Sequence, residues 1–122
     1  MTDVNKKTIH KILGITMHSD CYDEGFNICK KHIESDNMWV RRAAIEGLSH
    51  LARIHGKADL AFAMPHIKRA FEHTDDALRG TASYVLDDFE HFIPEFDREK
   101  YGFPKDTELE EILKELDELE ED

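Results

Sequence analysis

The sequence predicts an all-α fold of stacked helical pairs, and three observations carry that expectation. Apolar residues recur at three- and four-residue spacing along most of the 122-residue chain, the period of a helix with one buried face. Only 6 Gly and 3 Pro occur, and no run of Val, Ile and Thr is bounded by turn residues, so strands have no signature. Finally, the segment Asp36-Asn37-Met38-Trp39-Val40-Arg41-Arg42-Ala43-Ala44-Ile45-Glu46-Gly47-Leu48 returns in blurred form 38 residues later, as Thr74 to Leu86. A period of that size marks arrays of helical pairs, which work by offering a surface to a partner.

Each element can be justified in order. A first helix is expected from Val4 to about Ile15, with Val4, Thr8, Ile12 and Ile15 as its seam and Ile9 and Leu13 beside it. Ser19 or Asp20 is expected to cap a second helix over about 21–33, where Tyr22, Phe26, Cys29 and Ile33 share a face. Lys30 and Lys31 suit its C-terminus, where the helix dipole favours cations. The third helix, about Met38 to His55, is capped by Asp36 or Asn37 and ended by Gly56. Its inward stripe is Val40, Ala44, Leu48 and Leu51, widened by Trp39, Ala43, Ile45 and Ile54; packing in the core is the expected role of Trp39. A fourth helix over about 59–72 turns Leu60, Met64, Ile67 and Phe71 inward, and Pro65 is expected to kink or divide it. A fifth, from about Asp76 to Phe92, uses Leu78, Ala82, Val85, Leu86 and Phe89 and stops at Pro94. The aromatic turn around Phe96, Tyr101 and Phe103 is expected to pack a last helix onto the stack. That helix, about 107–120, has Thr107 and Glu110 as a capping box and the stripe Leu109, Ile112, Leu113, Leu116, Leu119.

The two central pairs, about 20–55 and 58–92, share one layout at the 38-residue offset. Val40 matches Leu78, Arg41 matches Arg79, Ala44 matches Ala82, Leu48 matches Leu86, and Leu51 matches Phe89. The acidic or amide cap, the Val-Arg or Leu-Arg step and the Ala soon after resemble the second helix of a HEAT repeat. The resemblance implies a HEAT-like α-α superhelix of about six or seven helices in one domain, 1–122, closed by terminal capping helices. It also implies that Arg41 and Arg79 latch onto the inter-helix turns, where Asp36 and Asp75 offer carboxylates. Gly80 departs from the pattern, and two repeats are fewer than the three usual for stability.

Charge restricts the partners. The formal net charge is −11, and Asp106 to Asp122 holds ten acids against one lysine. Such a chain is poorly suited to phosphate backbones, which are held by Lys and Arg, and anionic membranes repel it. No transmembrane span or signal peptide is expected. Cys21 and Cys29 lie about 12 Å apart on a helix, too far for a disulfide. Both are read as reduced thiols in a cytoplasmic chain.

No His-Glu-x-x-His, Cys-x-x-Cys or P-loop occurs, so neither a metal nor a cofactor is expected. Glu72-His73 and Glu90-His91 reverse the His-Glu order of HEAT-like hydroxylases. Acid and base groups at Asp87, Asp88, Glu90 and His91 read as a solvated or partner-facing patch rather than a catalytic set. With core positions turned inward, the fifth helix presents Gly80, Tyr84, Asp87, Asp88 and His91 outward, and the third presents Arg42, Glu46, Ser49, His50 and Arg53. In HEAT repeats the second helices line the concave face. Glu46, His50, Tyr84, Asp87, Asp88 and His91 are therefore the expected partner-binding residues.

Small acidic HEAT-like chains resemble immunity proteins of bacterial polymorphic and contact-dependent toxin systems. That resemblance implies a non-catalytic module that binds and blocks a cognate toxin domain, often a basic nuclease. A regulatory or assembly adaptor is the alternative, and a HEAT-type metal-dependent enzyme or lyase stands behind both.

Overall fold

The computed structural model describes residues 3–103. Among them are five α-helices and one 3-10 turn, and no strand: α1 Asp3–His18, α2 Tyr22–His32, α3 Met38–His55, α4 Leu60–Phe71, α5 Asp76–Phe92, and the turn Arg98–Tyr101. The expected helix over 107–120, with its capping box and leucine stripe, lies outside the described residues.

Helix ends follow their capping chemistry. The Asn37 side chain accepts from the amides of Trp39 and Val40, so the amide rather than Asp36 caps α3. Asp59 and Asp75 do the same for Phe62 of α4 and Leu78 of α5. Each satisfies an amide that the first turn would otherwise leave unbonded. Gly56 ends α3 at φ 66°, a left-handed conformation that costs a residue without Cβ little. The expected cap of α2 is replaced: Cys21 occupies that position without a side-chain cap. Ser19 accepts from the Cys21 amide at 3.1 Å and donates to Glu24 at 3.1 Å. Nor does Pro65 divide α4, which runs unbroken through it. Pro65 and Ala61, one turn earlier, are both exposed, so water can take the carbonyl that the missing N–H leaves open.

The centre of the fold is α3, which packs against α1, α2 and α5; α4 packs on α5, and α1 also packs on α2. Thus α1, α3 and α5 lie side by side, and α2 and α4 cover the other side of that row. The buried positions of α5 include all those expected, Leu78, Ala82, Val85, Leu86 and Phe89, and add Thr81, which was not. In α3 they include Val40, Ala43, Ala44, Ile45, Leu48, Leu51 and Ala52. Each large buried side chain contributes roughly 1.5–3 kcal/mol of transfer free energy.

Close approach at the centre depends on glycine. A Cβ on Gly47 would stand 2.7 Å from the Cys29 sulfur of α2 and 2.9 Å from Thr16 Cγ2 of α1. α1, α2 and α3 therefore converge on one residue. Beyond α5, Ile93, Phe96 and Phe103 are buried. Phe96 meets Phe89 edge to face at 5.7 Å, and Phe103 meets Phe71 of α4 at 5.3 Å. The aromatic turn thus packs onto α4 and α5.

Several wheel-based expectations are corrected. α1 reaches His18, and its buried residues are Ile12 and Thr16, while Val4 is exposed. Trp39 and Ile54 are 54% and 50% exposed, so neither widens the inward stripe. Phe71 is 40% exposed. Ser49, expected outside, is buried because α5 covers that flank of α3.

Candidate partner-binding surface

The second helices are locked to their turns in the same way twice. Arg41 Nε donates to the Ser35 carbonyl at 3.0 Å, and Arg79 donates to the His73 carbonyl at 2.9 Å. Both bonds span six residues, and the pairs are 38 residues apart. The expected carboxylate targets are not used: Asp75 is committed to its cap, and Arg79 pairs instead with Asp76. A backbone carbonyl serves as well because every residue type supplies one.

Across the row of α1, α3 and α5, polar side chains bond from helix to helix. Arg42 Nε donates to Thr81 Oγ1 at 2.9 Å, and that hydroxyl in turn donates to the Ala77 carbonyl at 2.9 Å. The Ser49 hydroxyl donates to the Asp88 carboxylate. Thr16 Oγ1 lies 2.9 Å from His50 Nδ1 and 2.9 Å from the Ile12 carbonyl. Because the Thr16 hydroxyl donates to the Ile12 carbonyl, it accepts from His50 when the neutral ring is in the tautomer that carries its hydrogen on Nδ1. These bonds fix the relative positions of the three helices.

The six expected site residues divide under this geometry. Glu46, His50, Tyr84 and Asp88 come together at the α3–α5 junction. The Tyr84 hydroxyl bonds to Glu46, and burial followed by that bond pushes its pKa up. The phenol therefore stays protonated and donates. Burial pushes His50 down, with Arg53 acting the same way and Glu46 and Asp88 opposing. Asp87 belongs elsewhere. It faces Arg98 of the 3-10 turn at 3.6 Å, and Arg98 also pairs with Glu90 at 3.0 Å. His91 is exposed near the end of α5, its ring against Phe92.

The same face carries apolar groups that the sequence placed in the core or left unassigned. The Trp39 ring lies under the Arg42 guanidinium at 5.9 Å. Farther along α3, a crevice of about 410 Å³ is lined by Met17, His50, Arg53, Ile54 and Phe92. Met17 comes from α1 and Phe92 from α5, so the crevice exists only because both flank α3. Pairing of α1 with α3 has no marker in the repeat pattern, and Arg98 sits in an irregular segment. Nothing in the helical period points to either.

A second cavity, of about 590 Å³, opens at the edge where α2 turns into α3 and α4 into α5. Among the described residues, no group of three or more His, Cys, Asp and Glu is placed to hold a metal ion. No described helix is long and apolar enough to cross a membrane. No family model, curated protein or solved structure matches the chain.

Proposed function

We propose that this chain is a non-catalytic protein-binding module of HEAT type, whose working surface is the outer face of α1, α3 and α5. The observation that carries the reading is the company kept on that face. Trp39, Ile54, Met17 and Tyr84, four of the large exposed hydrophobics, stand among polar side chains braced by bonds between helices. Aromatic and arginine anchors on a rigid support are what protein interfaces use. Bracing also lowers the ordering cost of association. The HEAT reading is supported by the repeated arginine latches and by α3 and α5 lying side by side.

The partner class follows from the net charge of −11 and from the α5 end of the face, where Asp87, Asp88 and Glu90 gather; the α1 end carries Lys6, Lys7 and Lys11 instead. A basic protein domain is steered toward such a field. The specific form proposed is an immunity protein that covers the active site of a basic nuclease toxin. No nucleic acid, membrane or cofactor enters this scheme.

The test is co-expression with any candidate basic nuclease domain encoded immediately upstream of this gene. The expected result is survival of the cells and a stoichiometric complex whose association slows as salt is raised. In that complex, Glu46→Lys with Asp88→Lys should slow association about tenfold or more at low salt, and Ile54→Asp should speed dissociation. Unchanged kinetics in all of these variants would remove the α1–α3–α5 face from the proposal, and cell death with no complex would remove immunity.

A further inference from the structure

The 590 Å³ cavity is built from four parts of the chain: Ile33 just after α2, Arg41 and Ile45 of α3, Ala70 of α4 and Leu78 of α5. Sites for small molecules span about 300–1,000 Å³, so its size is that of a binding site. Its floor is aliphatic, since Ile33, Ile45, Ala70 and Leu78 are each at most 3% exposed. Arg41 stands out on this wall. It is half-buried, and its Nε is committed to the Ser35 carbonyl at 3.0 Å. Among the described residues it forms no ion pair. A guanidinium drawn partly out of water with no anion beside it is destabilised, and an anion brought from outside removes that cost. With Nε occupied, two terminal nitrogens remain, and together they match the two oxygens of one carboxylate. The other arginine of the wall, Arg69, is already held by Glu34 at 3.5 Å and by the His66 ring.

We propose that this cavity binds a small monocarboxylate with an aliphatic body, its carboxylate on Arg41 and its body on the floor. The floor residues carry no polar side-chain atom, so only an apolar body covers them without losing hydrogen bonds. The charge balance of the wall selects a single negative charge. Glu34 and Glu72 line the same cavity, so a doubly charged phosphate would face two carboxylates with one free guanidinium to hold it. The His66 ring does not change this balance. Burial, then the Arg69 charge, lowers its pKa, so it is neutral at pH 7 and accepts from Arg69. The site lies at the edge formed by the α2–α3 and α4–α5 turns and shares no lining residue with the crevice of Met17, His50, Arg53, Ile54 and Phe92. It is thus a function separate from the proposed protein-binding face.

The experiment is an NMR titration of the full chain with three probes: octanoate, octanamide as its uncharged isostere, and octyl phosphate. Octanoate should give saturable shifts at the amides of Glu34, Ile45, Ala70 and Leu78. It should bind about tenfold or more tighter than octanamide, and tighter than octyl phosphate. These comparisons are made on the parent chain, so no variant has to fold. In Arg41→Gln, octanoate and octanamide should bind alike. That ratio is read within one variant, so stability lost with the Ser35 bond does not move it. The proposal is overturned if octanoate gives no saturable shift at these amides, or if octanamide or octyl phosphate binds as tightly on the parent. A preference for octanoate that survives Arg41→Gln also overturns it. So do saturable shifts confined to Met17, Ile54 and Phe92, which would put the carboxylate on Arg53 instead.

Discussion

Ser49 on α3 donates a hydrogen bond to Asp88 on α5, from an interior position that the helical wheel assigns to solvent. The bond joins the central helix to its neighbour beneath the proposed binding face. Removing the hydroxyl leaves a half-buried carboxylate with one donor fewer. Ser49→Ala should therefore cost about 1–3 kcal/mol, read as a lower urea midpoint with an unchanged slope. A double-mutant cycle with Asp88→Asn should give a coupling well above that of an exposed pair.

Two glycines should respond to alanine in opposite senses. At Gly47 the new Cβ meets Cys29 Sγ at 2.7 Å and Thr16 Cγ2 at 2.9 Å, so two helices must yield. Gly47→Ala should destabilise the chain by about 1–3 kcal/mol. At Gly80 a Cβ meets nothing within 4 Å, and the residue is exposed inside α5. Gly80→Ala should stabilise by about 0.5–1 kcal/mol. Thermal melts of the two variants side by side check both signs.

Acid should weaken the fold before its carboxylates titrate. Burial lowers His50, and burial with neighbouring cations lowers His32 and His66. Each then binds its proton more readily when unfolded. Their contribution is fully present above the ordinary histidine value of about 6.5 and is lost as pH falls through the lowered folded values. Urea midpoints should accordingly fall between pH 7 and pH 5, and His50→Asn should flatten that fall. A pH-independent midpoint over this range would contradict the assignment.

The arginine latches should be unequal. Arg41 is half-buried at the cavity edge, whereas Arg79 is exposed and also holds Asp76. Arg41→Ala should cost about 1–2 kcal/mol, and Arg79→Ala less than about 1. Arg41→Lys should recover little, because a lysine cannot present an Nε donor to Ser35 in the same plane. Equilibrium unfolding of the three variants decides the order.

Much of the scaffold was legible because local chemistry encodes it. Asn37, one of the two residues expected to cap α3, does so, Gly56 and Pro94 stop, and α3 and α5 begin and end close to where the sequence placed them; Asp75, expected to meet Arg79, caps α5 instead. The apolar core of α5 was legible too, because its buried arc is a single stripe, though buried Thr81 was not foreseen. In α3 the same logic failed at Ser49, Trp39 and Ile54. Helical period gives an angle around one axis but not which arcs neighbours cover, and α3 is packed by all four other described helices. The candidate surface was legible in the same proportion. Glu46, His50, Tyr84 and Asp88 do meet, because α3 and α5 lie side by side. Asp87 was lost to Arg98, an arginine from an irregular turn whose fold no period describes.

Cys29 and Cys21 are both free, one buried at the Gly47 junction and the other exposed. Burial pushes the Cys29 thiol up to about 12, so in the closed junction it is neither ionised at neutral pH nor reachable. A thiol reagent should consume Cys21 at once and then wait for the three helices to part before it finds Cys29. The slow second phase times that opening directly, so the protein carries a native clock for how often its most crowded point comes undone.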